Sequence, residues 1–314
     1  MDPPVYSRET PRPTIMADLI QTLLDSGADA LAVDDEGRTP LHWLSTFPGP
    51  FDETHTAVFA ALARHGPEAV KQTDNQSRTP LHLALDTYAS RSQPSSPFAI
   101  RHLLSLGADP AKPDPLTGNT AAHYVAQRLM GKLEVAEDAA ALLRELVARG
   151  DIDINARNAA GETPAFSFAA AECGAEGDSS PKVWRYEALD VLVELGADLM
   201  AVDARGRTLM HITAGREARV EEPGRSWPRD VSEHIVKTFK RLMELGVDPR
   251  AEDEELRTAI DVAVAVELHG VVLLFSEEGK RTEEKRVGMK EAQKRKESKE
   301  REEMARQKEE DSEG

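Results

Sequence analysis

The sequence predicts an all-α repeat solenoid, built from a stack of about six helix-loop-helix units. Two observations predict this fold: a short glycine-containing motif recurs along the chain, and a threonine-led motif follows each copy at a nearly fixed distance. Such self-similarity indicates one supersecondary unit that is stacked many times. We assign the stack to residues 14–275, a disordered N-terminus to residues 1–13 and a charged low-complexity tail to residues 276–314.

The glycine motif marks the end of a helix. It consists of an apolar stretch, a glycine, then alanine or valine, then aspartate. Glycine adopts the left-handed conformation that ends many helices, because it has no Cβ to clash with the backbone. The clear copies contain Gly27, Gly107, Gly196 and Gly246, and weaker copies end at Gly66 and Gly150.

The threonine motif marks the start of the next helix. A threonine hydroxyl can accept a backbone N–H that the first helical turn leaves without a partner. Proline suits the first helical position, where its missing N–H is not needed. The clear copies are Thr39-Pro40-Leu41-His42 and Thr79-Pro80-Leu81-His82, and the divergent ones are Thr120-Ala121-Ala122-His123, Thr163-Pro164-Ala165-Phe166, Thr208-Leu209-Met210-His211 and Thr258-Ala259-Ile260-Asp261.

With these two motifs the chain resembles the ankyrin-repeat family, over roughly residues 14–275. The resemblance implies pairs of antiparallel helices joined by projecting turns. Four positions depart from the family pattern. Ser77 and Leu256 stand where the family has a turn glycine, while Phe166 and Asp261 stand where it has histidine. The sixth repeat therefore looks like a terminal cap.

The spacing of the motifs locates the extra length of each repeat. Each glycine is followed by its threonine after 12 or 13 residues, whereas the next glycine follows the threonine after 27, 28, 30, 33 and 38 residues. The segment between the two helices of a repeat therefore lengthens along the chain. Surface loops tolerate such growth by neutral drift. The alternative is a second interaction edge, with Trp184 and Trp227 as candidate anchors.

Charge argues against nucleic acid and membrane as direct partners. The formal net charge is −17, and residues 1–275 carry 27 basic and 43 acidic side chains. Phosphate recognition needs a positive face, and anionic lipid repels an acidic surface. No apolar run approaches the roughly 18 residues that span a bilayer. A single cysteine, Cys173, excludes an internal disulfide and favours an intracellular location, cytoplasmic or nuclear.

The tail contains two basic clusters, Lys280-Arg281 and Lys294-Arg295-Lys296, separated by 12 residues. This spacing resembles a two-part nuclear import signal, although any tail rich in lysine and glutamate produces such clusters by chance. The tail therefore leaves open a role as a nuclear transcription coregulator. That alternative would use the same repeats as a binding surface.

The sequence predicts no catalytic, metal or cofactor site. Equivalent histidines of a stack are spread along its axis, whereas metal ligands converge within about 2 Å of one ion. The family resemblance instead implies that His42, His82, His123 and His211 form structural hydrogen bonds. Cys173 lies among acidic residues, which raise a thiol pKa and weaken it as a nucleophile. We therefore expect no enzymatic activity.

The predicted function is that of a monomeric adaptor or scaffold that binds proteins of unknown identity. Repeat stacks present an extended concave surface, and the resemblance implies that variable turn positions carry the contacts. Exposed positions of the first helices extend this surface at Thr46, Phe47, Asp86, Thr87, Gln127 and Arg128. The turn positions are Asp35, Glu36, Arg38, Asn75, Gln76, Arg78, Asn119, Glu162, Ala204, Arg205, Arg207, Glu254, Glu255 and Arg257.

Four of these residues precede the motif threonines: Arg38, Arg78, Arg207 and Arg257. One interpretation is that arginine is common at this position of the repeat. The alternative is a row of guanidinium groups that binds carboxylates of a partner.

Overall fold

The computed structural model describes residues 13–47, 53–90, 97–129, 133–150, 152–171, 188–215, 229–266, 268 and 270–276. Within these ranges the chain is helical, apart from turns and one isolated β-bridge between Glu252 and Thr258. The predicted all-α repeat solenoid is confirmed. None of the helices in these ranges is long and apolar enough to cross a membrane.

The helices form two rows, which we call inner and outer. Each inner helix starts directly after a motif threonine, and each outer helix precedes a motif glycine. The inner helices are α2 (Pro40–Ser45), α4 (Pro80–Ala89), α6 (Ala121–Arg128), α8 (Pro164–Ala170), α10 (Leu209–Ala214) and α12 (Ala259–Ala265). The outer helices are α1 (Pro13–Asp25), α3 (Glu53–His65), α5 (Phe98–Ser105), α7 (Leu133–Ala148), α9 (Ala188–Glu194) and α11 (Arg229–Glu244). Residues 270–276 are also helical, and a short 3₁₀ helix spans Pro67–Val70.

The helix ends are where the two motifs predict them. Gly27 has φ +95°, and the N–H of Ala28 donates to the carbonyl oxygen of Leu23 over 3.0 Å, which closes the last turn of α1. Thr39 has extended backbone angles, and its side chain accepts the N–H of His42. Local side-chain chemistry therefore sets where helices begin and end.

One continuous core runs through the stack. Its largest fully buried side chains include Phe59, Tyr88, Phe166 and Phe239, together with leucines of most repeats. Buried alanines of the later inner helices, such as Ala122, Ala165 and Ala263, are small enough to let neighbouring helices approach closely. Burial of this apolar surface at about 25 cal/mol per Å² is the main favourable contribution to folding.

Ion pairs connect the outer helices on the solvent side. Arg101 on α5 contacts Glu145 on α7 at 3.0 Å, and Arg144 on α7 contacts Glu194 on α9 at 2.7 Å. Arg241 on α11 reaches back to Asp190 on α9 at 2.6 Å. Because these side chains are solvated, each pair contributes little to stability.

We call each segment between an outer helix and the next inner helix a finger. The fingers are 28–39, 67–79, 108–120, 152–163, 197–208 and 247–258, numbered 1 to 6. Most of the predicted long loops between the helices of a repeat lie outside the described residues, as do Trp184, Trp227, Cys173 and the tail beyond residue 276.

Candidate partner-binding surface

An aspartate organises each finger, or an asparagine in finger 4. In finger 1 a side-chain oxygen of Asp34 accepts the backbone N–H groups of Glu36 at 3.0 Å and Arg38 at 2.8 Å. The N–H of Asp34 donates to the carbonyl oxygen of Arg38, so the turn closes on itself. Asp74, Asp114, Asn158, Asp203 and Asp253 accept equivalent turn N–H groups in fingers 2 to 6.

These hydrogen bonds stabilise the ionised forms of Asp34 and Asp253. Burial alone would raise the pKa of Asp253, but the hydrogen bonds from Arg257 and Glu255 outweigh it and lower the pKa. Asp34 shows the same balance, with the Trp43 indole as an additional donor that lowers its pKa. The carboxylates at both ends of the stack therefore serve as charged acceptors that shape their own fingers.

The motif histidines connect each inner helix to the next finger. The backbone N–H of Thr39 donates to Nδ1 of His42 over 3.1 Å, so the ring proton lies on Nε2. That Nε2 then donates to the carbonyl oxygen of Arg78 in finger 2, at 3.2 Å. The same arrangement links His82 to Lys112, His123 to Glu162 and His211 to Arg257.

These contacts occupy both ring nitrogens, which is the structural role that the family resemblance implies. Burial lowers the pKa of His42, His82 and His123. The folded protein therefore holds these rings neutral near neutral pH. Within the described residues no three His, Cys, Asp or Glu side chains are grouped so that they could hold a metal ion.

We give each repeat the number of the finger that precedes its inner helix. Repeats 4 and 6 carry another residue in place of the motif histidine, with different consequences. Phe166 is fully buried and offers no acceptor, and the hydroxyl of Thr163 is buried without a hydrogen-bond partner in the described part of the chain. Asp261 instead accepts the N–H and the hydroxyl of Thr258 at 2.8 and 2.7 Å. Since no finger follows repeat 6 in the described ranges, a histidine there would find no carbonyl to reach.

Backbone hydrogen bonds also join the fingers near their tips. The N–H of Asn75 in finger 2 donates to the carbonyl oxygen of Glu36 in finger 1, at 2.9 Å. Equivalent bonds run from Ala159 to Thr117, from Ala204 to Ala160 and from Glu254 to Arg205, at 3.0 or 3.1 Å. We call this series the tip ladder. It aligns the finger tips into one edge.

The tip ladder is interrupted between fingers 2 and 3. The position that donates in the other fingers is Pro115 in finger 3, and proline has no backbone N–H. Finger 3 also contains one more residue between its aspartate and its threonine than the other fingers do. Next to this interruption, Ser77 has φ +62°, in the region that favours glycine.

The tip hydrogen bonds explain at which turn positions glycine can be replaced by another residue. A Cβ on Gly118 would lie 2.5 Å from the backbone nitrogen of Ala159 in the next finger, and one on Gly161 would lie 2.8 Å from that of Ala204. Ser77 faces the proline-containing finger, and Leu256 lies in finger 6. Both departures from the family glycine therefore occur in fingers that receive no tip hydrogen bond from a following finger.

The predicted contact residues differ in their accessibility. The exposed ones are Asp35, Glu36, Phe47, Asn75, Gln76, Asp86, Ala204, Arg205, Glu254, Glu255 and Arg257. The half-buried ones are Arg38, Thr46, Arg78, Thr87, Gln127, Glu162 and Arg207.

Asn119 and Arg128 are buried, so the prediction that they belong to the exposed surface is wrong. The side chain of Asn119 accepts a hydrogen bond from Asn158 in finger 4 at 2.9 Å, which draws it between the fingers. Arg128 lies at the end of α6, 5.4 Å from the ring centre of Tyr88, with Nη1 3.4 Å from the carbonyl oxygen of Ser90. It therefore packs over the C-terminal end of α4.

The four arginines before the motif threonines all contact residues of their own repeat. Arg207 and Arg257 pair with the aspartates of their fingers at 2.6 and 2.9 Å, and Arg78 lies 3.4 Å from Asp74. Arg38 instead stacks 5.6 Å from the ring centre of Trp43. The structure therefore gives each arginine an internal role, and recognition of partner carboxylates by this row stays a prediction.

Sequence reasoning missed several exposed apolar side chains on this part of the molecule, among them Trp43 and Leu116, and did not foresee that Leu256 is 75% exposed in finger 6. Trp43 is 56% exposed, and its indole N–H donates to Asp34 at 2.7 Å. Leu116 is 60% exposed at the tip of finger 3, beside Pro115. The signal for Leu116 was present in the sequence, since a leucine in a polar turn has no helix face to bury it.

This chain is similar in sequence to a known protein and similar in fold to a solved structure. No family model matches the chain. The mouse B-cell lymphoma 3 protein homolog is 31% identical over 189 residues, which cover 59% of this chain and 35% of that protein. This chain therefore spans about a third of the length of the curated relative. The crystal structure of the human ASB11 ankyrin repeat domain matches with a TM-score of 0.55 at 18% identity, over 83% of this chain and 94% of that domain. This chain has the ankyrin-repeat fold.

Proposed function

We propose that this chain is a non-enzymatic adaptor or scaffold that binds another protein through its finger tips and the adjoining inner helices. One observation carries the proposal: the tips expose polar side chains, while backbone hydrogen bonds join neighbouring fingers beneath them, except between fingers 2 and 3. Asp35, Glu36, Gln76, Arg205 and Glu255 are exposed on this edge.

Fixed backbones favour recognition because binding then orders little additional chain. The tip of finger 2 is held to finger 1 by the side-chain amide of Asn75, which donates to the carbonyl oxygen of Asp35 at 2.9 Å. Arg157 in finger 4 donates to carbonyl oxygens in fingers 4 and 5, at Gly161 and Val202. The exposed side chains are thus presented in a defined order along the edge.

Charge along this edge indicates a partner with several distinct contact points. Fingers 1 and 6 expose carboxylates, whereas finger 2 exposes Asn75 and Gln76 and finger 5 exposes Arg205. An edge of alternating chemistry favours a folded or extended protein surface over a ligand of uniform charge. Complementary charges on the partner would set its register along the stack.

Affinity capture with matched variants tests the proposal. The tip variant combines Glu36→Ala, Gln76→Ala, Arg205→Ala and Glu255→Ala, all at exposed side chains. The matched control combines changes at exposed side chains of the outer helices α3, α7 and α11: Arg64→Ala, Asp138→Ala and Lys240→Ala. We expect the tip variant to lose proteins that the wild type and the control both retain, when each is captured and analysed by quantitative mass spectrometry. Identical captured sets for all three would contradict binding through the tips.

The second candidate function is nuclear transcription coregulation, and the two basic tail clusters support it. Lys280-Arg281 and Lys294-Arg295-Lys296 lie outside the described residues, so this candidate depends on sequence alone. Fluorescent fusions with and without residues 277–314 test it in cells. Nuclear accumulation that depends on the tail would support coregulation, and exclusion of the full chain from the nucleus would contradict it.

A further inference from the structure

The first outer helix exposes side chains that every later outer helix buries. Leu19 and Leu23 lie eight and four residues before Gly27, and each is 51% exposed. Their counterparts in α3, α5, α7, α9 and α11 are all buried: Val58 and Leu62, Ala99 and Leu103, Leu142 and Leu146, Ala188 and Leu192, Thr238 and Leu242.

The first inner helix shows the same contrast. Trp43 lies four residues after Thr39 and is 56% exposed, whereas the counterparts Leu83, Tyr124, Ser167 and Ile212 are buried. In repeat 6 this position is Val262, close to Gly215 of repeat 5: a Cβ built on that glycine would lie 3.7 Å from Val262 Cγ1. The position therefore faces the preceding repeat. We call Leu19, Leu23 and Trp43 the N-terminal end face.

In the later repeats, the preceding inner helix packs against the inner helix that carries the counterpart of Trp43. The described chain begins at α1, an outer helix that packs against α3 and has no inner helix of its own in the described ranges. The Trp43 ring is already held by its hydrogen bond to Asp34 and its contact with Arg38. A helical ligand would therefore meet an ordered apolar surface.

The rim of the N-terminal end face carries more acidic than basic side chains, although the Arg38 guanidinium lies against the Trp43 ring. Residues 13–36 contain six aspartates or glutamates and no lysine or arginine. Asp18, Asp25, Asp29, Asp35 and Glu36 are all exposed. A second copy of this face would bring carboxylates against carboxylates. The opposite end of the stack exposes Glu254, Glu255 and Asp261 beside Arg257, so it would also bring an excess of carboxylates against this face. Charge thus opposes self-association and favours a basic occupant.

We propose that the N-terminal end face docks an amphipathic helix of another protein. Its apolar side chains contact Leu19, Leu23 and Trp43, and its lysines or arginines lie against the acidic rim. Helix docking into an apolar groove uses anchors at i, i+3, i+4 and i+7. This surface is distinct from the finger tips, so the proposal does not depend on the function proposed above.

Fluorescence anisotropy with the full chain tests the proposal. The probe is a fluorescein-labelled peptide of about five helical turns, with leucines along one face and lysines flanking them. One control peptide carries glutamate in place of every lysine, and another has the same composition in scrambled order. We expect binding of the lysine peptide and at least tenfold weaker binding of both controls.

The matched protein variants separate the two ends of the stack. Leu19→Ser with Leu23→Ser removes two of the three apolar side chains of the end face, both at exposed positions, and should weaken lysine-peptide binding by about tenfold or more. Val264→Ser with Leu273→Ser removes similarly exposed side chains at the other end and should leave binding unchanged. Circular dichroism of each variant confirms that the helices are retained. Asp18→Lys with Asp35→Lys should reverse the preference between the lysine and glutamate peptides.

Four results would overturn the proposal. Equal loss of binding in the variant Leu19→Ser with Leu23→Ser and in the variant Val264→Ser with Leu273→Ser would show non-specific apolar contact. Equal binding of lysine and glutamate peptides would remove the role of the acidic rim. Dimers in sedimentation that Leu19→Ser with Leu23→Ser abolishes would make a second copy the occupant. Tenfold tighter peptide binding after deletion of residues 1–12 would make the chain's own N-terminus the occupant.

Discussion

Two junctions between repeats each lack one polar connection, and the missing connection differs between them. One is the junction between repeats 2 and 3, and the other is the junction between repeats 4 and 5. The first lacks the tip hydrogen bond, because Pro115 has no N–H to donate, yet keeps the link from His82 to Lys112. The second keeps the tip hydrogen bond from Ala204 to Ala160, yet lacks the histidine link, because its repeat carries Phe166. Each junction thus retains one of the two polar connections.

This difference shows that the two connections act separately. The histidine link joins an inner helix to the base of a finger, whereas the tip ladder joins fingers near their ends. Loss of one leaves the other geometrically intact, and apolar packing continues through both junctions. We therefore expect substitutions at the two kinds of connection to have effects that add, and each effect to be local to its junction.

The largest expected effect comes from a Cβ placed where two fingers approach. Gly118→Ala combines a positive φ of +73° with a contact of 2.5 Å to the nitrogen of Ala159, so we expect unfolding free energy to fall by about 3 kcal/mol. Gly107→Ala is the matched control, since it has φ +90° and open space around its Cβ. It should lose only about 1 kcal/mol. Urea unfolding measures both, and equal losses would show that the approach of the fingers is unimportant.

We expect a smaller change in unfolding free energy when a motif threonine is replaced, and this change should differ between repeats 2 and 4. Thr79→Val removes a hydroxyl that accepts the N–H of His82 and contacts its ring, so it should lower the unfolding free energy by about 1 kcal/mol. Thr163→Val removes a buried hydroxyl that has no partner in the described residues, so stability should be unchanged or raised. Thermal unfolding measures this difference. If Thr163→Val were as damaging as Thr79→Val, the comparison between repeats would fail.

The smallest expected effect repairs the interrupted ladder. Ser77→Gly relieves a positive φ, and Pro115→Ala provides the missing N–H opposite finger 2. We expect the double variant to gain less than about 1 kcal/mol over wild type, and more than the two single variants together, since each change alone leaves one obstacle. Hydrogen exchange of the amide of residue 115 reports the new bond. Rapid exchange of that amide in the double variant would contradict the repair.

Local chemistry explains why much of the fold was predictable from the sequence. A helix start needs a capping side chain such as Thr39, and a helix end needs a residue such as Gly27 with φ above zero. Both requirements involve only neighbouring residues, so the motifs predicted the inner helices and their order. The roles of the motif histidines came from the family resemblance, because their carbonyl partners lie 30 to 46 residues away in the chain.

The contact surface was less predictable, because exposure depends on what neighbouring repeats cover. Asn119 and Arg128 occupy positions equivalent to surface residues in the repeat pattern. Yet the side chain of Asn119 is hydrogen-bonded to finger 4, and that of Arg128 packs over the C-terminal end of α4. Trp43 shows the reverse case. Its counterparts are buried, but no repeat precedes it in the described ranges. A repeat pattern alone does not distinguish the ends of a stack from its interior.

The sequence by itself determined the repeat unit, the helix boundaries and the acidic character of the chain, since these follow from residue type and short-range spacing. Only the tertiary structure decided which connections survive at each junction, where glycine can be replaced, and which apolar side chains remain uncovered. The physical reason is that the close approach between fingers and the burial by a neighbouring repeat exist only after stacking. Leu19 fits the repeat pattern like its counterparts, and only the stack leaves it exposed; Ser77 departs from the pattern, and only the stack shows why its finger tolerates the change.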